Sequence, residues 1–117
     1  MHIVAPRGGR PVTSVITVEG TSANILAGQT IWIVVAPAGA SYLYPQTGPA
    51  VVQDNGRWLS TNVRLGGGRD FDILAVLADK QGASEFQHYL TAGGNRGVPH
   101  LSGGHMKVMD RVHVVKG

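Results

Sequence analysis

Four histidines carry the clearest metal-binding chemistry in this sequence. They are His88, His100, His105 and His113. An imidazole nitrogen is a common ligand of zinc and other transition metals, and His100 and His105 would share one flexible loop. However, none of the four stands in a His-x-His pair or at ligand spacing from a carboxylate. We therefore expect surface histidines, with no metal site and no cofactor, and metal binding is the open alternative.

Three aspartates flank one strand-like run and could act as paired carboxylates: Asp70, Asp72 and Asp79. Glycoside hydrolysis uses two carboxyl groups about 5–10 Å apart across a cleft. Asp70 and Asp72 would share one face of a strand, but a small sandwich offers no obvious cleft between them. We expect an edge or turn role for these residues, with calcium binding at the loop end as a lesser option.

The glycine run 66–68, followed by Arg69, could suggest a phosphate-binding loop. Such a loop needs a following helix N-terminus and usually a Lys-Ser/Thr pair, whereas an apolar strand-like run follows here. Ser60, Ser84 and Ser102 lie in no Gly-x-Ser-x-Gly elbow, the turn that presents a nucleophilic serine. The sequence therefore predicts no catalytic residue, and we expect the protein not to be an enzyme.

Four aromatic residues are the best candidates for ligand contacts: Trp32, Tyr42, Tyr44 and Trp58. Sugar rings stack on exposed aromatic side chains, and tyrosine-rich loops make protein contacts at a low entropic cost. We expect both tryptophans to fill the core between two sheets, as sandwich tryptophans commonly do. Tyr42 and Tyr44 fall in a loop, where binding and packing are equally open interpretations.

Composition limits the possible partners. Only 15% of the residues are charged, against a typical share of about 25%, and a weakly charged surface favours association. The net charge of +3 comes from ten cations and seven anions spread along the chain. A nucleic-acid interface through Arg57, Arg64 and Arg69 is therefore a weak alternative. The chain has no cysteine, so disulfides and thiolate metal sites are excluded.

Two further features concern the compartment. Residues 1–6 do not pair a charged segment with an apolar one, so we expect no signal peptide there. The longest apolar stretch surrounds Ile31–Ala36, far short of the roughly 20 residues that a membrane helix needs. We expect no membrane span, and the sequence does not indicate a localisation.

Strand-like runs separated by glycine-rich turns organise the chain into one predicted domain, residues 1–117. The clearest runs are Val12–Val18, Ile31–Ala36, Trp58–Leu65, Asp72–Ala78 and Arg111–Val115. Their β-branched composition predicts an all-β protein. His2–Ala5 and Ala50–Gln53 are shorter β-capable runs, the second with a proline at its head that suits an edge strand. One short helix of one or two turns is expected near residues 83–90, and residues 92–106 are expected to form a long loop.

Three local patterns make sharper predictions. Ile31–Ala36 is apolar on both faces, so it should be covered on both sides or should cover an interface. Asn55-Gly56 predicts a type I′ hairpin turn. Trp58 and Val63 cannot share one face of a regular strand, so a bulge between them, or Trp58 at the end of the sandwich, should reconcile their burial.

Several segments together resemble bacterial immunoglobulin-like (Ig-like) accessory domains, modules that often sit beside enzymatic or signalling domains. The segments are Val18-Glu19-Gly20-Thr21, Ile31-Trp32-Ile33-Val34-Val35, Tyr44-Pro45-Gln46, Asn55-Gly56-Arg57-Trp58 and residues 71–77. The resemblance implies an Ig-like antiparallel β-sandwich of about seven strands. Its motifs are structural, so it transfers no catalytic residue.

These observations lead to one functional expectation and two alternatives. We expect a non-enzymatic module that mediates protein–protein interaction or self-assembly, because two predicted edge segments, Ile3–Ala5 and Pro49–Gln53, carry no charge that would guard them. The candidate interface residues are Ile3, Val4, Tyr42, Tyr44, Val51 and Val52. The first alternative is carbohydrate binding by the loop aromatics, and the weaker one is nucleic-acid binding.

Overall fold

The computed structural model describes residues 1–9, 11–23, 25–39, 41–46, 48–92, 97–98, 101 and 104–117. In this part of the chain nine strands and one helix follow one another. They are β1 (His2–Ala5), β2 (Pro11–Val12), β3 (Val15–Thr21), β4 (Thr30–Pro37), β5 (Tyr44–Pro45), β6 (Val51–Val52), β7 (Arg57–Arg64), β8 (Asp70–Ala78), α1 (Lys80–Thr91) and β9 (Met106–Lys116). The prediction of a mostly β protein is confirmed.

The strands form two sheets. The four-stranded sheet has the order β1-β3-β7-β6, and the five-stranded sheet has the order β2-β9-β8-β4-β5. All neighbouring strands run antiparallel, except that β2 runs parallel to β9. Residues from both sheets share one apolar core, an arrangement compatible with a β-sandwich.

That inner core draws on alternate residues of the long strands, as the period of two requires. Its larger members are Val18, Trp58 and Val63 from the four-stranded sheet and Ile31, Ile33, Val35, Phe71, Ile73 and Val114 from the five-stranded sheet. Side-chain alternation in the sequence predicts ten core residues, and seven of them are buried here. The ten are Ile16, Val18, Ile33, Val35, Val63, Ile73, Ala75, Leu77, Val112 and Val114. Ile16, Leu77 and Val112 are exceptions, because they are only partly buried and pack against the margin of the core.

The outer face of the five-stranded sheet is covered by α1. Trp32 and Val34 of β4, with Leu74 and Val76 of β8, form a second core against Phe86 of the helix. The expected placement of Trp32 between the sheets is therefore wrong, because its side chain points to the helix side. Both apolar faces of β4 are therefore covered within the chain, one by the inner core and the other by α1.

The helix is longer than the one or two turns expected, since it spans 12 residues. Asp79 caps its N-terminus, and the Asp79 side chain accepts a hydrogen bond from Gly82 N at 2.8 Å. Such a cap satisfies a backbone donor that has no partner inside the helix. Phe86 adds the burial that a short helix needs for stability,.

The helical spacing of Ala83, Phe86 and Leu90 marks Lys80–Leu90 as the helix candidate in the sequence, and α1 spans that segment and Thr91. The location is therefore confirmed, and only the expected length is wrong.

Two strand boundaries also differ from expectation. The predicted strand Val12–Val18 is split, because β2 joins the five-stranded sheet while β3 belongs to the other sheet. Between them, the Ser14 carbonyl accepts a hydrogen bond from Leu65 N at 2.8 Å.

At the other end of the chain, β9 begins at Met106 because it pairs with β8 as far back as Ala78. The last strand, expected at Arg111–Val115, therefore starts five residues earlier and includes the final residue of the expected loop 92–106. Residues 93–96, 99–100 and 102–103 of that loop lie outside the described residues.

The hairpin between β6 and β7 is not the type I′ turn expected. A type I′ turn needs positive φ at both central residues, and only Gly56, with φ 81°, has a positive value here. Gly56 N donates to the Gln53 carbonyl at 3.0 Å, so the central residues are Asp54 and Asn55. The geometry is that of a type I turn followed by a glycine bulge, a common three-residue hairpin loop.

The predicted bulge between Trp58 and Val63 is confirmed. Val18 pairs with Ser60, yet Ile16, only two residues before Val18, pairs with Val63. The extra residue on β7 lets Trp58 and Val63 both face the core, and Asn62 takes a left-handed φ of 56° there. Asparagine is one of the few residues that adopts this conformation readily.

Candidate functional site

One side of the molecule has an incomplete strand. β6 pairs with β7 only through Val51 with Leu59 and Val52 with Trp58. Before Val51 the chain leaves the four-stranded sheet, because Ala50 N donates to the Ile31 carbonyl of the other sheet at 2.8 Å. Among the described residues, the remainder of β7 therefore has no strand beside it on this side.

A cleft of about 1100 Å³ opens at this gap; we call it the side cleft. Val35, Leu65 and Phe71 supply apolar surface from the core. Polar groups come from Gln46, Asn62 and Arg64. The expectation that a sandwich of this size offers no obvious cleft is therefore wrong, because β6 ends after two residues and leaves part of β7 uncovered.

Gln46 spans the side cleft with its side chain. Its Oε1 accepts a hydrogen bond from Arg64 N at 2.8 Å, and its Nε2 donates to the Tyr44 carbonyl at 3.0 Å. Gln46 N donates to the Ile33 carbonyl at 2.9 Å, which fixes the residue to the five-stranded sheet. One glutamine side chain thus occupies a backbone donor of β7 and connects the two sheets.

The three other sheet edges are guarded. At β1, Ile3 N donates to Asp110 Oδ2 at 2.7 Å, and Val4 lies in an irregularity between the Ile3–Gly20 and Ala5–Glu19 pairs. The N-terminal run is thus built into its own sheet, and the expectation that it is unguarded is wrong.

The remaining two edges belong to the five-stranded sheet. β5 adjoins Leu43, which exchanges two backbone hydrogen bonds of 2.7 Å with Val98. At the other edge of the described chain, β2 covers only Val115 and Lys116 of β9. The uncovered part of β9 carries Lys107, Asp110 and Arg111 and is irregular near its middle. Charge and irregular pairing both discourage edge-to-edge association.

The side cleft lies beside the uncharged β6, and the part of β7 that it exposes carries the bulge at Asn62 and the charged Arg64. As at β9, most of this strand lacks a neighbour on that side among the described residues, but here the gap opens into an apolar cleft.

The predicted interface residues do not form a single patch. Val51 and Val52, at 62% and 47% exposure, lie on β6, and Val51 lines the side cleft together with Tyr44. Ile3, partly buried, and Val4, 43% exposed, lie on β1 at the opposite edge of the four-stranded sheet. The side cleft therefore brings together only part of the predicted set.

Tyr42 and Tyr44 both pack against the backbone of Gly97. A Cβ atom at Gly97 would lie 2.8 Å from Tyr42 Cβ and 3.0 Å from Tyr44 Cε1. Gly97 N also donates to Tyr89 Oη at 2.8 Å. Tyr42 remains 48% exposed, whereas Tyr44 is only partly buried and reaches the side cleft. The two rings thus differ in role, and only Tyr44 belongs to the cleft.

Gln46 and Asn62 are the cleft residues that sequence reasoning did not select. Gln46 follows Tyr44-Pro45, where the aromatic residue is the more obvious candidate for a ligand contact. The sequence contains no signal that the Gln46 side chain reaches a strand of the other sheet. The unusual backbone at Asn62 could be predicted in part, because Trp58 and Val63 cannot share one face of a regular strand and a bulge is expected between them.

His113 lies between two carboxylates on the outer face of the five-stranded sheet. Its Nδ1 is 2.9 Å from Asp72 Oδ1 and its Nε2 is 3.2 Å from Asp70 Oδ1. Hydrogen bonds first to Asp72 and then to Asp70 raise the pKa of the imidazole. Both ring nitrogens are engaged, so this group is an ion-pair cluster rather than a free pair of catalytic carboxylates.

His105 makes a similar contact at the start of α1. Its Nδ1 lies 2.8 Å from Asp79 Oδ2, and this hydrogen bond raises the pKa of His105. His88 is exposed on α1, and His100 lies outside the described residues. Within the described ranges, no three histidine or carboxylate side chains are grouped so that they could hold a metal ion.

The other sequence candidates have structural settings. Gly66–Gly68 lies between β7 and β8 and lines one end of the side cleft. Ser60 is buried on β7, Ser84 is exposed on α1, and Ser102 lies outside the described residues. Arg57 and Arg64 mark opposite ends of β7, which places them about 20 Å apart at the usual rise of a strand. They do not form a compact basic patch.

None of the helices in the described part of the chain has the length and hydropathy of a membrane-spanning segment. The chain matches no protein-family model, no curated protein and no solved structure in the comparisons made.

Proposed function

We propose that this chain is an Ig-like module. The support is its strand order: β1-β3-β7-β6 corresponds to strands A, B, E and D of an Ig sandwich, and β9-β8-β4-β5 corresponds to G, F, C and C′,. The helix α1 stands between β8 and β9, where an Ig domain carries the F–G loop. This insertion covers the outer face of the sheet and departs from the usual Ig pattern.

The function we propose for this module is protein–protein interaction by strand addition at the side cleft. In strand addition an extended segment pairs with an exposed sheet edge, main-chain hydrogen bonds supply affinity, and pockets for alternate side chains supply specificity. The observation that carries the proposal is the gap beside β7, where β6 stops and an apolar cleft begins. Self-assembly is the special case in which the added strand comes from a second copy.

A charged residue at this edge tests the proposal. A phage library of random peptides is selected on the wild-type protein, and affinities of the enriched peptides are measured with the Val51→Lys and Val108→Lys variants. Val108 is the control, because it is also an exposed strand valine (42% against 62%) but lies on β9 of the other sheet and does not line the side cleft. Lysine on an edge strand opposes pairing, so only Val51→Lys should weaken binding.

Two results would contradict the proposal: no peptide is enriched, or both lysine variants bind as the wild type does. Sedimentation velocity of the same three proteins over a range of concentrations examines self-assembly separately. A concentration-dependent oligomer that Val51→Lys dissociates and Val108→Lys leaves intact identifies a second copy as the partner.

Carbohydrate binding is the second candidate, favoured by the position of Tyr44 beside Gln46 and Asn62 in the side cleft. An aromatic ring flanked by amide groups can stack on a sugar and hydrogen-bond its hydroxyls. Glycan-array binding that Tyr44→Ala abolishes, without any peptide enrichment, would favour this function. Nucleic-acid binding stays a weaker alternative, and a salt-sensitive gel shift would reveal it.

A further inference from the structure

Building on the proposed function, we infer that the occupant of the side cleft is an extended peptide with an acidic side chain, and that Gln46 holds the place of the peptide's carbonyl in the free protein. The first step is the hydrogen bond from Arg64 N to Gln46 Oε1, 2.8 Å long. The backbone N–H of Arg64 on this sheet edge thus donates to a side-chain amide carbonyl. A pairing strand would offer it a backbone amide carbonyl, which is the same chemical group.

The charge of the cleft gives the second step. Arg64 is the one charged residue among the described residues that line it, and no ion pair joins Arg64 to another described residue. A guanidinium without a carboxylate beside it favours an anionic partner, and a paired carboxylate can accept two parallel hydrogen bonds from it. The remaining lining is apolar or uncharged, which suits alternate apolar side chains of an extended segment.

The position of the peptide follows from β6. Because β6 runs antiparallel to β7, the empty position beside β7 continues the line of β6 beyond Val51. The chain itself leaves that line at Ala50 to pair with Ile31 of the other sheet. A peptide that fills the gap would therefore complete the edge strand and displace the Gln46 side chain from Arg64 N.

The probe for this inference is the most enriched random peptide, synthesised in four forms: unmodified, with its acidic residue replaced by the amide, and N-methylated at alternate residues in either of the two registers. Fluorescence anisotropy with the full chain gives the affinities. The amide form should bind about three- to tenfold more weakly, because it keeps a neutral hydrogen bond and loses only the charge assistance, roughly half of the bond's strength. N-methylation in one register should abolish binding, and in the other it should leave binding intact.

Two pairs of variants locate these effects. Arg64→Gln should remove the preference for the acidic peptide, whereas Arg57→Gln, at the far end of β7, should keep it. Gln46→Ala should bind the peptide about threefold to tenfold more tightly because a competing hydrogen bond is gone. Gln53→Ala is the control, since Gln53 is exposed and does not line the cleft.

The outcomes separate this inference from the function on which it rests. The inference would be overturned, and the interaction site would remain, if peptide binding depends on Val51 but is unchanged by backbone N-methylation or by Arg64→Gln. A Gln46→Ala variant with unchanged or weaker affinity would overturn the role of Gln46. If no peptide binds in a Val51-dependent manner, the proposed function and the inference fail together.

Discussion

Trp32 of β4 and Phe86 of α1 stack with their ring centroids 4.8 Å apart and their planes 19° from parallel. This contact seats the helix on the outer face of the five-stranded sheet, where it covers the second apolar side of β4. An apolar strand face that looks suited to an interface is thus already buried inside the molecule. The argument for association now depends on the side cleft and the edge at β6.

Phe86→Ala should destabilise the protein by about 3–5 kcal/mol, the range for removing a buried phenylalanine. The loss combines the cavity left under α1 with the lost stacking on Trp32. Urea unfolding followed by far-ultraviolet circular dichroism measures the change. Gln87→Ala is the control, because Gln87 is exposed on the same helix and should shift the free energy of unfolding by less than about 0.5 kcal/mol. Equal midpoints for the two variants would mean that α1 does not pack as described.

Gly20→Ala should also destabilise the protein strongly. A Cβ atom at Gly20 would overlap both Trp58 Cζ2 and the His2 carbonyl oxygen, so the core tryptophan or β1 would have to move. Overpacking of this kind costs about 1–3 kcal/mol or more. Gly66→Ala is the matched control, since its added Cβ would meet nothing within 4 Å. A Gly20→Ala protein with an unchanged thermal midpoint would show that Trp58 can reorient freely.

The strands of this fold could be located from the sequence because their signals are local. β-branched runs gave Ile31–Ala36 and Asp72–Ala78 within a residue or two, and the parity conflict between Trp58 and Val63 located a bulge. Both tryptophans are buried, as expected, although Trp32 lies beneath the helix. These features follow from side-chain alternation, a signal that can be detected within a short stretch of sequence.

The side cleft could not be predicted because it depends on where two distant segments separate. The gap exists because Ala50 pairs with Ile31 instead of extending β6 along β7. Likewise, Asp110 guards β1 from the opposite sheet, 107 residues away in the chain. No periodic pattern encodes such contacts, so edge protection and the cleft became visible only in three dimensions.

His113 should titrate above the usual range for histidine, because Asp72 and Asp70 stabilise its protonated form. Its proton-linked contribution to stability is fully present below the ordinary pKa of histidine, about 6.5. It disappears as the pH rises through the raised value. Nuclear magnetic resonance of the imidazole protons measures this pKa. Asp72→Asn should lower it more than Asp70→Asn, because the hydrogen bond to Asp72 is the larger cause.

His105 provides the internal reference in these spectra, since its partner is Asp79 and not Asp70 or Asp72. The pKa of His105 should therefore stay raised in both variants. If both variants lower the pKa of His105 as much as that of His113, the shifts reflect the net charge of the protein rather than the specific contacts.

Asp79 should prove to have two separable roles. Its carboxylate caps α1 by accepting from Gly82 N, and it pairs with His105; these contacts, led by the Gly82 hydrogen bond, lower the pKa of Asp79. Asparagine is also a good N-cap, so Asp79→Asn should keep the helix and lose only the charge interaction. Asp79→Ala should lose both, which helical circular dichroism and the His105 titration would report.

The pH dependence of this pair follows from the two opposite shifts. The lowered pKa of Asp79 contributes stability above the ordinary carboxyl value, and this contribution is lost as the pH falls through the lowered value,. The raised pKa of His105 contributes below the ordinary histidine value and fades as the pH rises through the raised one. The pair should therefore stabilise the helix start most between about pH 4 and 6.5. Because both side chains are exposed, added salt should weaken this effect. If the free energies of unfolding of the wild type and Asp79→Asn differ by the same amount at pH 5 and pH 9, the assignment is contradicted.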